Sequence, residues 1–172
     1  MDAVSTVILD GGMGQELVAR SGDEPTPLWA TRVMLDHPGM VRDIHADYFN
    51  AGATVATTNT YAIHHDRLKG FGLDPMFHAL HLRALAEAHE ARAAFGAGRI
   101  AGSMGPLVAS YRPEVTQELS EAAPKYAEIA QILGPLLRRD TDCVADHRRV
   151  GAHRQPAVAA QLVFQPTSQL VR

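Results

Sequence analysis

Ile8-Leu9-Asp10-Gly11-Gly12-Met13-Gly14-Gln15-Glu16-Leu17 is the stretch that decides how this chain is read. The apolar run from Val4 to Leu9 leads into it and reads as a buried strand. A carboxylate at the carboxyl end of such a strand is aimed at whatever sits above the sheet. Gly11, Gly12 and Gly14 follow, and without a Cβ they let backbone come close to that same spot. Taken alone, this is also how a tight turn with an Asp cap is written. Two later strands end in equally polar loops, and that repetition gives the stretch its meaning.

The segment after it, Ser21 to Arg32, is polar and holds Pro25, Pro27 and the only tryptophan, Trp29. It reads as a long loop that packs Trp29 over the sheet end. A helix follows, with Asp36 as cap and Pro38 in its first turn. Met40, Val41, Ile44, Tyr48 and Phe49 recur along it at helical spacing, and Gly52 sits where a C-terminal glycine belongs. Ala53 to Thr58 is β-branched and reads as a second strand, ending in Asn59-Thr60-Tyr61. A loop with His64, His65, Asp66 and Arg67 leads to an alanine-rich helix, Pro75 to Phe95, closed by Gly96 and Gly98. Arg99 to Ser103 is a third strand, ended by Met104-Gly105-Pro106. Tyr111, Arg112 and Pro113 then lead into helical sequence. Pro124 is expected to break it and Gly134-Pro135 to stop it.

The order β-α-β-α-β-α, with polar residues after each strand, predicts an α/β protein with a parallel sheet and crossover helices. In such sheets the site lies at the carboxyl ends of the strands. The 172 residues, 46% hydrophobic and 20% charged, suffice for one domain with a real core. A net charge of −3 leaves no electrostatic footprint for nucleic acid. No apolar stretch is long enough to span a bilayer, and the N-terminus has no signal-peptide pattern. The single cysteine, Cys143, excludes an internal disulfide framework and suits a reducing compartment, so a cytoplasmic location is expected.

Three motifs together resemble the homocysteine S-methyltransferase family. They are Leu9-Asp10-Gly11-Gly12-Met13-Gly14-Gln15-Glu16-Leu17, Thr57-Thr58-Asn59-Thr60-Tyr61 and Gly102-Ser103-Met104-Gly105-Pro106. The helix end Tyr48-Phe49-Asn50-Ala51-Gly52-Ala53 fits as well, and the resemblance covers roughly residues 5–135. It implies a (β/α)8 TIM barrel, of which this chain would supply the first three to four β/α units. It implies transfer of a methyl group from a donor to the thiol of homocysteine, giving methionine. It also implies zinc on three cysteine thiolates, which would keep the substrate sulfur as thiolate. By the same resemblance Asp10 would hold the amino group of homocysteine, with Gly11 and Gly12 giving close approach. Asn59, Thr60 and Tyr61 would line the pocket at the second strand, Ser103 and Gly105 at the third. The partners implied are homocysteine and a methyl donor.

The chain departs from that pattern in its last fifth. The family's zinc cysteines belong to the second half of the barrel, and a closed barrel takes about 250 residues. Residues 1–137 therefore read as the N-terminal half of the barrel domain. The segment Arg138-Arg139-Asp140-Thr141-Asp142-Cys143-Val144, where the family has an apolar fourth strand ending in glutamate, reads as no strand. From Arg138 to Arg172 there is no lysine and no glutamate. Residues 138–172 read as an aberrant or disordered tail, the product of a reading-frame shift near Leu137. A genuine extension docked on the half-barrel is the alternative. One thiol supplies one zinc ligand where three or four are needed, so zinc is not expected on this chain. The open edge of a half-barrel would favour self-association or a complementary partner.

Other patterns weigh less. His78, His81 and His89 share a helix but lack a carboxylate or cysteine at ligand spacing, and read as surface or half-buried histidines. His64-His65-Asp66 reads as a solvated loop facing the site. The glycines after Asp10 do not match G-x-G-x-x-G and are not expected to open straight into a helix, which argues against a dinucleotide fingerprint. Asp10 could act as a general base, but the resemblance favours substrate positioning.

Overall fold

The computed structural model describes residues 6–110, 112, 114, 115, 117–136 and 143–146. Helix α1 (Met13–Ser21) follows the glycines directly, with Gly12 as its N-cap and Gly22 closing it in the left-handed region. The glycine loop does open straight into a helix, against expectation, although its spacing still differs from the dinucleotide pattern. The reason is Leu17, fully buried, which anchors α1 to the core. Helix α2 (Ala30–Asp36) shortens the expected long loop from its far end. Asp36 ends α2 and pairs with Arg32 at 2.6 Å; it does not cap the next helix. That helix, α3 (Met40–Asn50), takes Gly39 as its N-cap at φ 89°. Its first turn is satisfied from across the fold, where buried Glu87 accepts the Arg42 N–H at 3.1 Å. A carboxylate there also complements the helix dipole.

Strand β1 (Val55–Thr57) comes next, then the short helix α4 (His65–Leu68) and two single turns, Lys69–Phe71 and Asp74–Met76. Helix α5 (Phe77–Phe95) buries Phe77, Leu80, His81, Ala84, Leu85, Ala88 and Ala91, one stripe at helical spacing. Gly96 ends it at φ 81°. Strand β2 (Arg99–Met104) leads to α6 (Leu119–Leu136), which runs through Pro124 without breaking. The amide that Pro124 lacks would have bonded Ser120, in the first turn, so only a bond at the helix end is lost. Ile129 and Leu133 hold α6 down, buried at 2% and 0% exposure. Full burial of each such side chain contributes about 1.5–3 kcal/mol.

The sheet is parallel throughout, in the order β1-β2-β3, where β3 is Cys143–Asp146. Val55 to Thr57 pair with Arg99 to Ala101, and Ala101 to Met104 pair with Cys143 to Asp146. The expected absence of a strand near Arg138–Val144 is therefore corrected. The open edge of β2 recruits Cys143, Val144 and Ala145, three small or apolar residues, despite the polar sequence before them. Residues 138–142 and 147–172, most of the expected tail, lie outside the described residues. On the other edge the expected first strand is only partly made. Residues 1–5 lie outside the described residues, and Leu9 forms a single parallel bridge to Val55. Val7, Ile8 and Leu9 are 43%, 51% and 51% exposed rather than buried, because β1 covers one side of them only. Among the described residues no helix is long and apolar enough to cross a membrane.

Candidate functional site

Asp10 and the segments after β1 and β2 all lie at the carboxyl ends of parallel strands, on one end of the sheet. Asp10 is locked to β1 by its own backbone, donating N–H to Val55 O at 3.0 Å. Its carboxylate accepts the Thr57 backbone N–H at 2.6 Å and the Thr57 hydroxyl at 2.7 Å. The side chain is 3% exposed, and His45 Nδ1 stands 3.9 Å from Oδ2. Gly11 is required here by packing: a Cβ would meet the Tyr48 ring at 2.8 Å. A Cβ on Gly12 would meet only the flexible end of Gln15. Burial, together with the negative charge of Glu16 and Asp10, raises the Tyr48 phenol above its ordinary pKa against the pull of Arg20.

The ends of β1 and β2 are stitched by hydroxyls. The Thr58 hydroxyl accepts Ser103 N–H at 3.0 Å, and the Thr60 hydroxyl donates to Ser103 O at 2.6 Å. The two hydroxyls bond each other at 2.8 Å. All three residues are buried, at 1–2% exposure. Gly105 lies against the Tyr61 backbone so closely that a Cβ would overlap the Tyr61 carbonyl oxygen. Arg67 spans the two loops: it donates to Pro106 O at 2.7 Å and to Ser110 Oγ at 2.9 Å, with its guanidinium 5.7 Å from the Tyr61 ring centre. Tyr126 closes the group from α6, donating to Gly105 O at 3.2 Å. Asn59 turns the other way and donates to Ala30 O at 3.1 Å, tying β1 to α2. Seven of the eight expected residues thus form two clusters, Asp10-Gly11-Gly12 and Thr60-Tyr61-Ser103-Gly105, joined through Thr57 and Thr58. Asn59 links the end of β1 to a helix instead of joining either cluster.

Sequence reasoning passed over His45, and it named Thr57, Thr58 and Arg67 without giving them a role of their own. His45 carried a signal, because it shares the stripe of Val41, Ile44 and Phe49 and so puts a polar group on a core face. The Trp29 ring lies 3.4 Å from where a Gly14 Cβ would stand, against α1, and remains 42% exposed.

The histidine loop is not solvated as expected. His64 is 1% exposed and its Nε2–H donates to Tyr61 O at 3.1 Å. Burial first, and then the nearby Arg67, pull its pKa down to about 3. His65 pairs with Asp74 at 2.6 Å and stacks on Phe77, while Asp66 receives Lys125 at 2.6 Å. On α5, His81 is fully buried rather than superficial and donates Nδ1–H to Phe77 O at 2.8 Å. Burial lowers its pKa to about 4. Among the described residues no three His, Cys, Asp or Glu side chains converge in a way that could hold a metal ion.

The homocysteine S-methyltransferase of Escherichia coli K12 is 33% identical over 114 residues, 62% of this chain and 37% of that one. A selenocysteine methyltransferase of Astragalus bisulcatus is 36% identical over 87 residues, 49% of this chain and 25% of that one. Among solved structures, the metallated form of the homocysteine methyltransferase MmuM from Escherichia coli superposes with a TM-score of 0.71 at 26% identity. That match covers 83% of this chain and 54% of that protein. The chain thus spans about a third to a half of the length of these Escherichia coli relatives. The family model described as homocysteine S-methyltransferase matches residues 7–146, from the exposed run before Asp10 to the end of β3, and this chain belongs to that family.

Proposed function

We propose that this chain is the N-terminal part of a (β/α)8 methyltransferase barrel and that its strand ends bind homocysteine. The observation that carries the reading is Asp10, a carboxylate at 3% exposure whose oxygens are oriented by Thr57 at the end of a parallel strand. Each oxygen of a carboxylate can accept a second hydrogen bond, which suits an ammonium group. Thr60, Tyr61, Ser103 and Gly105 would shape the neighbouring wall, with Asn59 bracing the end of β1 against α2. In the reaction the substrate sulfur attacks the donor's methyl carbon. A sulfur–carbon bond forms, the bond from that methyl to the donor breaks, and the thiol proton is lost.

Zinc would keep the sulfur as thiolate in the family, but its ligand set does not fit this chain. Cys143 is the only cysteine, and the described residues bring no three donors together. That mismatch favours a second reading, in which the chain binds homocysteine without turning it over until a partner supplies the thiolates. The exposed run Val7-Ile8-Leu9 would form part of the seam with such a partner. A thiol substrate is kept reduced in the cytoplasm, the location we infer. The test is incubation of the full chain with homocysteine, zinc and S-methylmethionine. Methionine formation supports the enzyme reading, saturable binding without methionine supports the second, and no binding defeats both.

A further inference from the structure

His45 has no place in the reading above, yet it is the most unusual polar side chain near the site. It lies on α3 at 0% exposure, and neither ring nitrogen has a hydrogen-bond partner among the described residues. Buried polar atoms are rarely left so, because the loss of water is uncompensated. Packing alone needs nothing polar there: Val41, Ile44 and Phe49 complete the same buried stripe with hydrocarbon. Among the described residues the carboxylate that approaches it is Asp10, with Oδ2 3.9 Å from Nδ1. Burial lowers the His45 pKa to about 4, so at neutral pH the ring carries a single N–H. A lone pair on Nδ1 would face the carboxylate's negative oxygen and repel it. An N–H there attracts it, and a shift of about 1 Å would bring the pair to ordinary hydrogen-bond length.

We propose that His45 is a positioning residue for Asp10, its Nδ1–H held toward Oδ2 so that the carboxylate keeps its aim on the ammonium group of the substrate. The inference rests on the reading of Asp10 as the amino-group anchor. His45 and Thr57 would then hold the carboxylate from two elements, α3 and β1.

Two measurements on the full chain test this. The first needs no ligand: ring ¹⁵N shifts of His45 report which nitrogen is protonated. Protonated Nδ1 is expected, and an Nε2–H tautomer overturns the proposal. The second compares homocysteine with 4-mercaptobutanoate, the same molecule without its amino group. His45→Leu is expected to weaken homocysteine about tenfold and to leave 4-mercaptobutanoate within twofold, as loss of one charge-assisted hydrogen bond predicts. His45→Asn, whose amide nitrogen stands near the Nδ1 position, is expected to restore most of the loss. Equal weakening of both ligands, or no recovery in the Asn variant, means that His45 serves packing only and overturns the proposal. If His45→Leu does not fold, the Asn variant and the tautomer decide. If wild type does not prefer homocysteine over its amino-free analogue, the substrate reading fails and takes the aiming role with it. The tautomer then still decides whether the histidine braces Asp10.

Discussion

Lowering the pH from 8 to 5 should remove a large share of this chain's stability, and three buried histidines set the size of the loss. His45 and His81 are held near pKa 4 and His64 near 3, each chiefly by burial. The ordinary value is 6.5. The folded values are depressed, so the unfolded chain binds protons first as pH falls. Stability is then whole above about pH 6.5 and declines below it, until the folded groups themselves protonate near pH 4. At pH 5 an unfolded histidine sits about 1.5 pH units below its pKa while the folded one is still neutral. One pH unit is worth about 1.36 kcal/mol, so each histidine costs about 2 kcal/mol and the three together about 6 kcal/mol. His65 works the other way. Burial opposes its charge, but bonds to Asp74 and Glu128 raise its pKa, and its partial exposure keeps the offset small. A domain of this size is stable by about 5–15 kcal/mol, so a loss of about 6 kcal/mol takes a large share of that margin. The assay is urea unfolding followed by circular dichroism at pH 8, 6.5 and 5. His81→Leu should flatten the pH dependence by about a third. Stabilities at pH 8 and pH 5 within about 1 kcal/mol of each other would refute the reasoning.

Three further outcomes are expected. Gly105→Ala drives a Cβ into the Tyr61 carbonyl oxygen, and neither backbone can yield cheaply. The overpacking should cost about 1–3 kcal/mol in urea melts and weaken homocysteine binding through displacement of Tyr61. Thr57→Val removes the hydroxyl that donates to Asp10 Oδ1 at 2.7 Å, one of the bonds holding a buried carboxylate. It should lower stability by about 1.5–3 kcal/mol and homocysteine affinity about tenfold, both readable by calorimetry. Leu133→Ala empties a fully buried position under α6 and should cost about 2–5 kcal/mol without changing which ligand is preferred.

The middle of the fold was legible because its signals are local. The α5 stripe from Phe77 to Ala91 and the left-handed stop at Gly96 follow from spacing and from glycine's freedom. The β-branched run before Asn59 and the order of helices between strands implied parallel pairing, and Val55–Thr57 does pair that way with Arg99–Ala101. The misses come from long range. Cys143–Asp146 becomes a strand because β2 offers an open edge, which no property of its own neighbours reveals. Trp29 adopts φ 44°, a positive value for a residue other than glycine that its neighbours in sequence do not announce. His64 and His81 looked superficial because histidine is polar, yet both are buried and backbone carbonyls take up one ring nitrogen of each.

The site divides the same way. Its residues stand in three short motifs, and their place at the strand ends followed from topology. Their partners did not, since Asp10 to Thr57 and Thr60 to Ser103 are contacts across 47 and 43 positions. The glycines were read as room for a ligand. Gly11 and Gly105 also make room for protein, for the Tyr48 ring and the Tyr61 backbone, which no local pattern announces.

The central claim is that homocysteine sits at the ends of these strands. The most direct test is a titration of the ¹⁵N-labelled full chain with homocysteine, read by amide shifts. Saturable shifts confined to Asp10–Gly12, Thr57–Tyr61 and Ser103–Gly105 are the expected result, and Asp10→Asn should abolish them. Shifts centred on the cleft beside Asp23, Trp29 and His37, or no saturation at all, would contradict the account.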